Sequence, residues 1–373
     1  MSAERFMNKF LMNLKPYRSV SQEIWEKDPH EWDGILKLDW NESTIEPSIK
    51  IRKAIEKYWD EYNFLHLYPC TYNSELLRVI SSFANVPSEN IQYFSSSDSL
   101  HEYICKCYIQ INDTVLLLWP SYDNFRLTAE ANGARIFHSE MSYNYEISLD
   151  KLLNDIVNSS AKLVYICNPN NPTGGLIKKD DVRMLLEACP QTLFLIDEAY
   201  SEFAYHSVND LVLSYDNILV THTLSKAFGL ANIRFGYLVS SKDHIDIISR
   251  IRNPKNISSF AQIAAISALE DVGYMWKYVD EVNKAREWFC DSLKNNNKFN
   301  RFVIYPSKAN FVLVKCPSIE IKAKIYYSLR EKKIYVRQLN QTSALLECIR
   351  ITVGTRSQMK RVYDVLNDII CEI

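Results

Sequence analysis

The middle of the chain repeats one pattern: a short apolar run, a polar tip, then a stretch of helical or turn-rich sequence. Such runs lie at Val115 to Trp119, Leu163 to Cys167, Leu193 to Ile196, Ile218 to Val220 and Phe235 to Val239. Unbroken apolarity without alternation marks strands covered on both faces, and intervening helices are what parallel connections require. The pattern therefore specifies an α/β fold with a mostly parallel sheet. At 373 residues and 47% hydrophobic, the chain can enclose more than one core. Ala261 to Lys294 is helical in period with no proline. After it, Asn310 to Lys315, Lys322 to Glu331, Ile334 to Arg337, Ile349 to Val353 and Ser357 to Ile370 read as strand, helix, strand, strand, helix, a smaller α+β unit. The expected division is an N-terminal arm contributing to the small domain (1–45), a large domain (46–255) and a small C-terminal domain (256–373).

A net charge of -2 leaves no basic surplus for gripping phosphate backbones, so nucleic acid is not an expected partner. The nine cysteines are scattered, and the close pair Cys105 and Cys107 has no second pair or histidine at a zinc-site spacing. Reduced thiols, no metal and a cytoplasmic location are expected. Near the N-terminus Glu4, Arg5 and Lys9 interrupt Phe6, Met7, Phe10 and Leu11, which is unlike a secretory signal. No apolar run approaches the ~20 residues of a membrane span. Only 8 glycines occur, against roughly 26 at an average usage of ~7%, so each one kept is informative. Gly174, Gly175 and Gly229 fall inside the segments considered next, and Gly236 lies just beyond.

In open parallel sheets ligands sit beyond the carboxyl ends of the strands, and polar signals gather there. Ser95-Ser96-Ser97-Asp98-Ser99 follows the strand-like Ile91 to Phe94 and opens a helix, which reads as a plain N-cap or as an anion site. Tyr122, in Trp119-Pro120-Ser121-Tyr122, either packs or stacks on a flat ring. Asn168 to Gly175 carries two prolines and two glycines, a turn specified sharply enough to aim the Asn171 amide. The apolar strand Leu193 to Ile196 delivers Asp197, a carboxylate that serves as an N-cap or faces a cation such as a protonated ring nitrogen. Thr223-Leu224-Ser225-Lys226 sets a lysine among hydroxyls and apolar residues, where a lowered pKa makes it nucleophilic.

In this order and spacing the segments resemble the fold-type I pyridoxal-phosphate enzymes of the aspartate aminotransferase family (class I/II), most closely histidinol-phosphate aminotransferases. The resemblance runs from Leu38-Asp39-Trp40-Asn41-Glu42 to Ile349 to Thr355. It implies a large domain with a mostly parallel seven-stranded sheet and a small α+β domain. It also implies pyridoxal 5'-phosphate as a Schiff base on Lys226, which then shuttles a proton. Asp197 would pair with the pyridinium nitrogen, Asn171 and Tyr200 with the ring oxygen, and Tyr122 with the ring face. The phosphate would rest on the Ser97 and Asp98 amides, Thr223, Ser225 and Arg234, with Tyr68 reaching it from the neighbouring subunit of a homodimer. Arg350 would hold the substrate carboxylate, and Arg337, Tyr17, Asn41 and Lys255 would contact substrate.

The implied reaction is transamination between a phosphorylated amino compound and a 2-oxo acid such as 2-oxoglutarate, because a carboxylate held in the ring plane leaves Cα–H perpendicular to it. The alternative is a decarboxylase of O-phosphoserine or O-phosphothreonine, which shares nearly all these residues. Lys255 stands where an aromatic is usual, Gln338 replaces a proline, Ser96 and Ser99 replace a glycine and an acid, and Asn232 replaces a glycine. These departures put substrate identity and the geometry of the phosphate loop in question.

Overall fold

The computed structural model describes residues 3–12, 14, 24–62, 65–340 and 342–371. Among them, twelve strands form two sheets. The strand β1 (Leu36–Leu38) comes first; β2 (Ile91–Phe94), β3 (Thr114–Trp119), β4 (Arg135–Glu140), β5 (Leu163–Cys167), β6 (Leu193–Asp197), β7 (Ile218–Thr223) and β8 (Gly236–Ser240) follow. The last four are β9 (Val303–Ile304), β10 (Phe311–Lys315), β11 (Ile334–Gln338) and β12 (Cys348–Thr352). Strands β2 to β8 make a seven-stranded sheet in the order β2-β8-β7-β6-β5-β3-β4. Only β8 runs against its neighbours; the remaining pairs are parallel.

The four strands β5 to β8 are buried at every residue, as unbroken apolar runs require when helices cover both faces. Register then decides where their ends fall. Cys167 pairs with Asp197, and Asp197 with Thr221, so β5, β6 and β7 end at nearly one level. Everything that follows these ends in sequence faces one crevice.

The second sheet has the order β1-β11-β12-β10-β9. Here β1 is parallel to β11, and the other pairs are antiparallel. The chain's early segment is thereby stitched to a unit built mainly from its last third. One contiguous apolar core reaches both sheets.

The helical stretch expected over 261–294 is two helices, Ser259–Glu270 and Val272–Lys294. Asp271 breaks them with φ -117° and ψ 39°, and its carboxylate accepts from Ser48 Oγ at 2.5 Å and Lys50 Nζ at 2.7 Å. No proline is needed: a distant partner draws the aspartate out of the helical conformation. The first helix packs on Ile49–Glu61 and Ser74–Ala84, the second on Arg356–Cys371.

Gly236 sets one contact that the site depends on. A Cβ there would stand 2.6 Å from the Ser97 nitrogen and 2.8 Å from the His222 carbonyl oxygen. Only a bare Cα lets the N-terminus of the helix Ser97–Tyr108 press onto β8. Gly236→Ala should therefore lower unfolding stability by about 1–3 kcal/mol, read as a lower urea midpoint; an unchanged midpoint would show that this approach is not tight.

Candidate active site

A cavity of about 730 Å³ opens beyond the ends of β5, β6 and β7 and reaches β11 and β12 of the second sheet. It brings together Asn41, Ser97, Asp98, Tyr122, Asn171, Asp197, Tyr200, Thr223, Ser225, Lys226, Arg234, Arg337 and Arg350. Residues expected from the sequence to act together thus share one wall-to-wall space.

Asp197 is the last residue of β6 and is buried. Its Oδ2 accepts from the Tyr165 hydroxyl at 2.8 Å, its Oδ1 accepts from the Ala199 N–H at 3.2 Å, and His101 Nε2 stands 3.7 Å from Oδ2. Burial raises its pKa, with His101 acting in the opposite direction. A carboxylate so placed gains from a cation in the cavity.

Lys226 follows β7 by three residues. Its Nζ donates to the Trp40 carbonyl at 3.0 Å. Burial pulls its pKa down to about 8, Glu42 works against that shift, and Arg350 adds to it. Near neutral pH a useful fraction of the amine is unprotonated, which condensation with an aldehyde requires.

Between them runs a hydrogen-bonded chain from both sheets. Arg350 donates to Asn171 Oδ1 and to the Asp39 carbonyl, both at 2.6 Å. The Asn171 amide donates to the Tyr200 hydroxyl oxygen at 3.3 Å, and the Asn41 amide donates to the same oxygen at 3.0 Å. With two N–H donors on its oxygen, Tyr200 has its own O–H left to give. Burial is the leading cause that pushes its pKa up, so that proton stays in place.

The turn that aims Asn171 is fixed from within. Asn170 donates to the Pro120 carbonyl at 3.0 Å and to Thr173 Oγ1 at 2.8 Å, while Ser121 Oγ donates to its Oδ1 at 2.6 Å. Gly174 has φ +81°, and a Cβ there would also meet Ser307.

On the opposite side the helix Ser97–Tyr108 points its N-terminus into the cavity, capped by Ser96 Oγ, which accepts from the Ser99 N–H at 3.0 Å. Thr223 Oγ1 donates to Ser225 Oγ at 2.8 Å. Arg234 adopts φ 55° and stands 3.8 Å from Asp98 Oδ2. Asp98 Oδ1 also accepts from the Tyr122 hydroxyl at 2.9 Å and from the Asn124 amide at 3.1 Å. Free amides at a helix start, two hydroxyls and a guanidinium make an anion cradle.

Arg337 and Arg350 are paired in register across β11 and β12, and both are buried. Among the described residues Arg337 makes no hydrogen bond or ion pair, so the cavity has a buried guanidinium available for an anion.

Two expected residues lie elsewhere. Lys255, expected at the substrate, is exposed outside this cavity with its amine 4.2 Å from the ring centre of Tyr68. Tyr68 is 78% exposed. A turn at 253–256 ending at buried Ile257 carries Lys255 away from the chain's own cavity. Tyr17 lies outside the described residues. The sequence reading also missed Trp25, Trp40, Glu42 and Leu339, which line the cavity, and His101 and Tyr165, which hold Asp197. Glu42 adjoins Asn41 and was within reach; Tyr165 sits inside an apolar strand with nothing local to set it apart, and His101 stands one turn into a helix whose polar signal lies at its start.

The arrangement accepts a flat aromatic cation with an aldehyde at one end and a phosphate at the other. Asp197 and Lys226 suit the ring and the aldehyde, and the helix N-terminus suits the phosphate.

Comparison with known proteins agrees. The family model described as aminotransferase class I and II matches residues 33–366. The chain is 37% identical to a dihydroxyacetone phosphate transaminase of Campylobacter jejuni over 97% of its own length and 96% of that protein. It is 34% identical to a histidinol-phosphate aminotransferase of Ruminiclostridium cellulolyticum, covering 89% and 91%. Among solved structures, the histidinol-phosphate aminotransferase of Sinorhizobium meliloti in complex with pyridoxal-5'-phosphate superposes with a TM-score of 0.82 at 23% identity, covering 95% and 99%. The L-threonine-O-3-phosphate decarboxylase of Porphyromonas gingivalis gives 0.74 at 19% identity, covering 90% and 99%, a likeness of fold.

If burial sets the Lys226 pKa, the rate at which apoprotein takes up pyridoxal phosphate should climb as pH rises towards about 8 and level off above it. Stopped-flow absorbance measures this. A climb continuing to the ordinary lysine range near 10.5 would contradict the assignment.

Proposed function

The chain belongs to the class I and II aminotransferases, and from that premise we propose that it moves an amino group between a phosphorylated amino compound without a carboxylate and a 2-oxo acid such as 2-oxoglutarate. Its relatives bearing the names dihydroxyacetone phosphate transaminase and histidinol-phosphate aminotransferase support this reading. The observation that carries it is the pair of buried guanidiniums in register, Arg350 and Arg337, on the cavity's far wall.

Pyridoxal phosphate, when bound, supplies a conjugated electron sink for one bond at the substrate's Cα. Lys226 Nζ would carry it and, once displaced by the substrate amine, would be the base that takes the proton from the substrate's Cα and delivers it to the cofactor's side of the new imine. Asp197 keeps the ring nitrogen protonated. Tyr200 gives its O–H, and Asn171 its amide, to the ring oxygen, while Tyr122 covers a face. The amides of Ser97 and Asp98, with Thr223, Ser225 and Arg234, hold the phosphate. Arg350 would grip an α-carboxylate with its fork, an orientation that would favour loss of the Cα proton over loss of the carboxylate. Arg337 takes the phosphate of one substrate and the distal carboxylate of the other, which lets one site serve two partners in turn. Asn41 positions substrate through Tyr200.

The enzyme works as a homodimer in this proposal. Trp59, Leu65, Leu67, Tyr68 and Tyr72 are each about half exposed or more on one stretch of chain, which suits a surface that a second subunit covers. Tyr68 and its neighbour Lys255 would then serve the partner's site. Nine cysteines without a disulfide suit a reducing cytoplasm, and a biosynthetic role suits the substrate class. Decarboxylation of O-phosphoserine or O-phosphothreonine has fold likeness alone behind it.

Mixing the yellow holoenzyme separately with histidinol phosphate, 2-aminopropane-1,3-diol phosphate, glutamate and O-phosphoserine tests the reading. A phosphorylated amine and glutamate should each convert the cofactor's absorbance to that of its amine form; carbon dioxide from O-phosphoserine without conversion would overturn it. Lys226→Ala should keep cofactor while losing turnover by at least roughly 10²–10⁴-fold, and substantial residual activity would remove its assigned role. Arg350→Ala should weaken glutamate by about ten- to a hundredfold relative to a phosphorylated amine lacking a carboxylate; equal losses in the two half-reactions would place Arg350 away from substrate.

A further inference from the structure

On the other side of β6 and β7 lies a second cavity, of about 410 Å³, that the transamination chemistry does not use. Elements distant in sequence build it. Glu202 comes from the short helix Ser201–Ala204, His222 from β7, Tyr237 from β8, Phe83 from the helix Ser74–Ala84 and Trp276 from the helix Val272–Lys294.

Four of its buried polar atoms lack a hydrogen-bond partner among the described residues. Glu202 is 6% exposed, and its Oε2 has no hydrogen-bond partner among the described residues. Neither protonation state relieves this: a carboxylate there lacks a cation, and a neutral O–H lacks an acceptor. His222 is 3% exposed; its Nε2 lies 2.8 Å from Asn209 Oδ1, which makes that nitrogen the donor and leaves Nδ1 an acceptor without a donor. Both ring nitrogens of His206, at the same cavity, are also without partners among the described residues. The nearest lysine at the rim, Lys179, is already taken by Asp210 at 2.7 Å.

The unmet demand is for N–H donors bearing positive charge. Among the described residues no group of three histidine, cysteine, aspartate or glutamate side chains is set to hold a metal ion. Phe83, Tyr237 and Trp276 add apolar surface, Tyr237 already stacked on His222 and Trp276 on Tyr205, and such a lining suits a weakly hydrated cation over a strongly hydrated one. A guanidinium offers N–H groups in several directions and an aromatic-compatible face, and it is the group that pairs best with a carboxylate.

We propose that this cavity binds a small guanidinium compound, with its charge on Glu202 and a donor to His222 Nδ1. Glu198 lies deeper, where Ser207 Oγ at 2.7 Å and the Val208 N–H at 2.8 Å already satisfy it, so Glu202 is the anchor. Burial raises the Glu202 pKa to about 8, so binding near pH 7 drives off its proton.

Methylguanidinium chloride, titrated into the holoenzyme by calorimetry at constant ionic strength near pH 7, tests this. Saturable binding is expected, with a heat that varies with the ionisation enthalpy of the buffer, as proton release requires, and with the cofactor's absorbance unchanged. Glu202→Gln should weaken it by at least about tenfold, and tetramethylammonium, which has no N–H, should not compete. Absence of saturable binding, or equal binding by Glu202→Gln, overturns the proposal. If that variant does not fold, a crystal of the wild-type holoenzyme soaked in methylguanidinium decides: planar density against Glu202 supports the site, and density absent or found only beside Lys226 overturns it.

Discussion

An amine and a carboxylate are both withdrawn from water at one end of a single sheet, and each is costly there until something bridges them. Asp197 is fixed by β6 and by the Tyr165 hydroxyl; Lys226 is fixed by the loop after β7. Burial moves each pKa toward its neutral form, upward for the acid and downward for the amine. In the proposed reading a cationic ring nitrogen satisfies the first and an aldehyde consumes the second. The same burial that costs stability creates affinity for pyridoxal phosphate, and the rest of the fold holds these two groups still.

The supporting parts follow from that requirement. Register across β5, β6 and β7 brings their tips level, so the asparagine turn, Asp197 and the lysine loop emerge together. The missing side chain at Gly236 lets a helix start lean over the same crevice and offer its amides. The second sheet closes the far wall with Arg350, whose fork is already engaged with Asn171 and with the Asp39 carbonyl. In the proposed reading, substrate binding and ring binding are joined through one hydrogen-bonded chain from Arg350 through Asn171 to Tyr200, so a change at Arg350 should reach the cofactor pocket as well as the substrate.

Much of this could be read from the residues alone, for a physical reason. Central strands buried on both faces have to be continuously apolar, which is why β5 was legible to the residue, and sharp polar segments at their ends had few structural uses. The edge strand β4 went unread because half-exposed residues such as Arg135, His138 and Glu140 carry no continuous apolar signal. The break at Asp271 depends on Ser48 and Lys50, more than 200 positions away in sequence, so helical periodicity passes through it without a mark. Trp25, Trp40 and Glu42 reach the cavity through the pairing of β1 with β11, a long-range event with no local signature. Lys255 was assigned to substrate by resemblance, whereas its own chain turns it outward toward Tyr68.

The central claim is that one amine, that of Lys226, carries the cofactor. Reducing the holoenzyme with borohydride and mapping the modified peptide tests it most directly. The account predicts a single pyridoxyl-phosphate adduct, on Lys226 in the peptide containing Thr223-Leu224-Ser225-Lys226, with the other lysines unmodified. An adduct on any other lysine, with Lys226 recovered free, would contradict it.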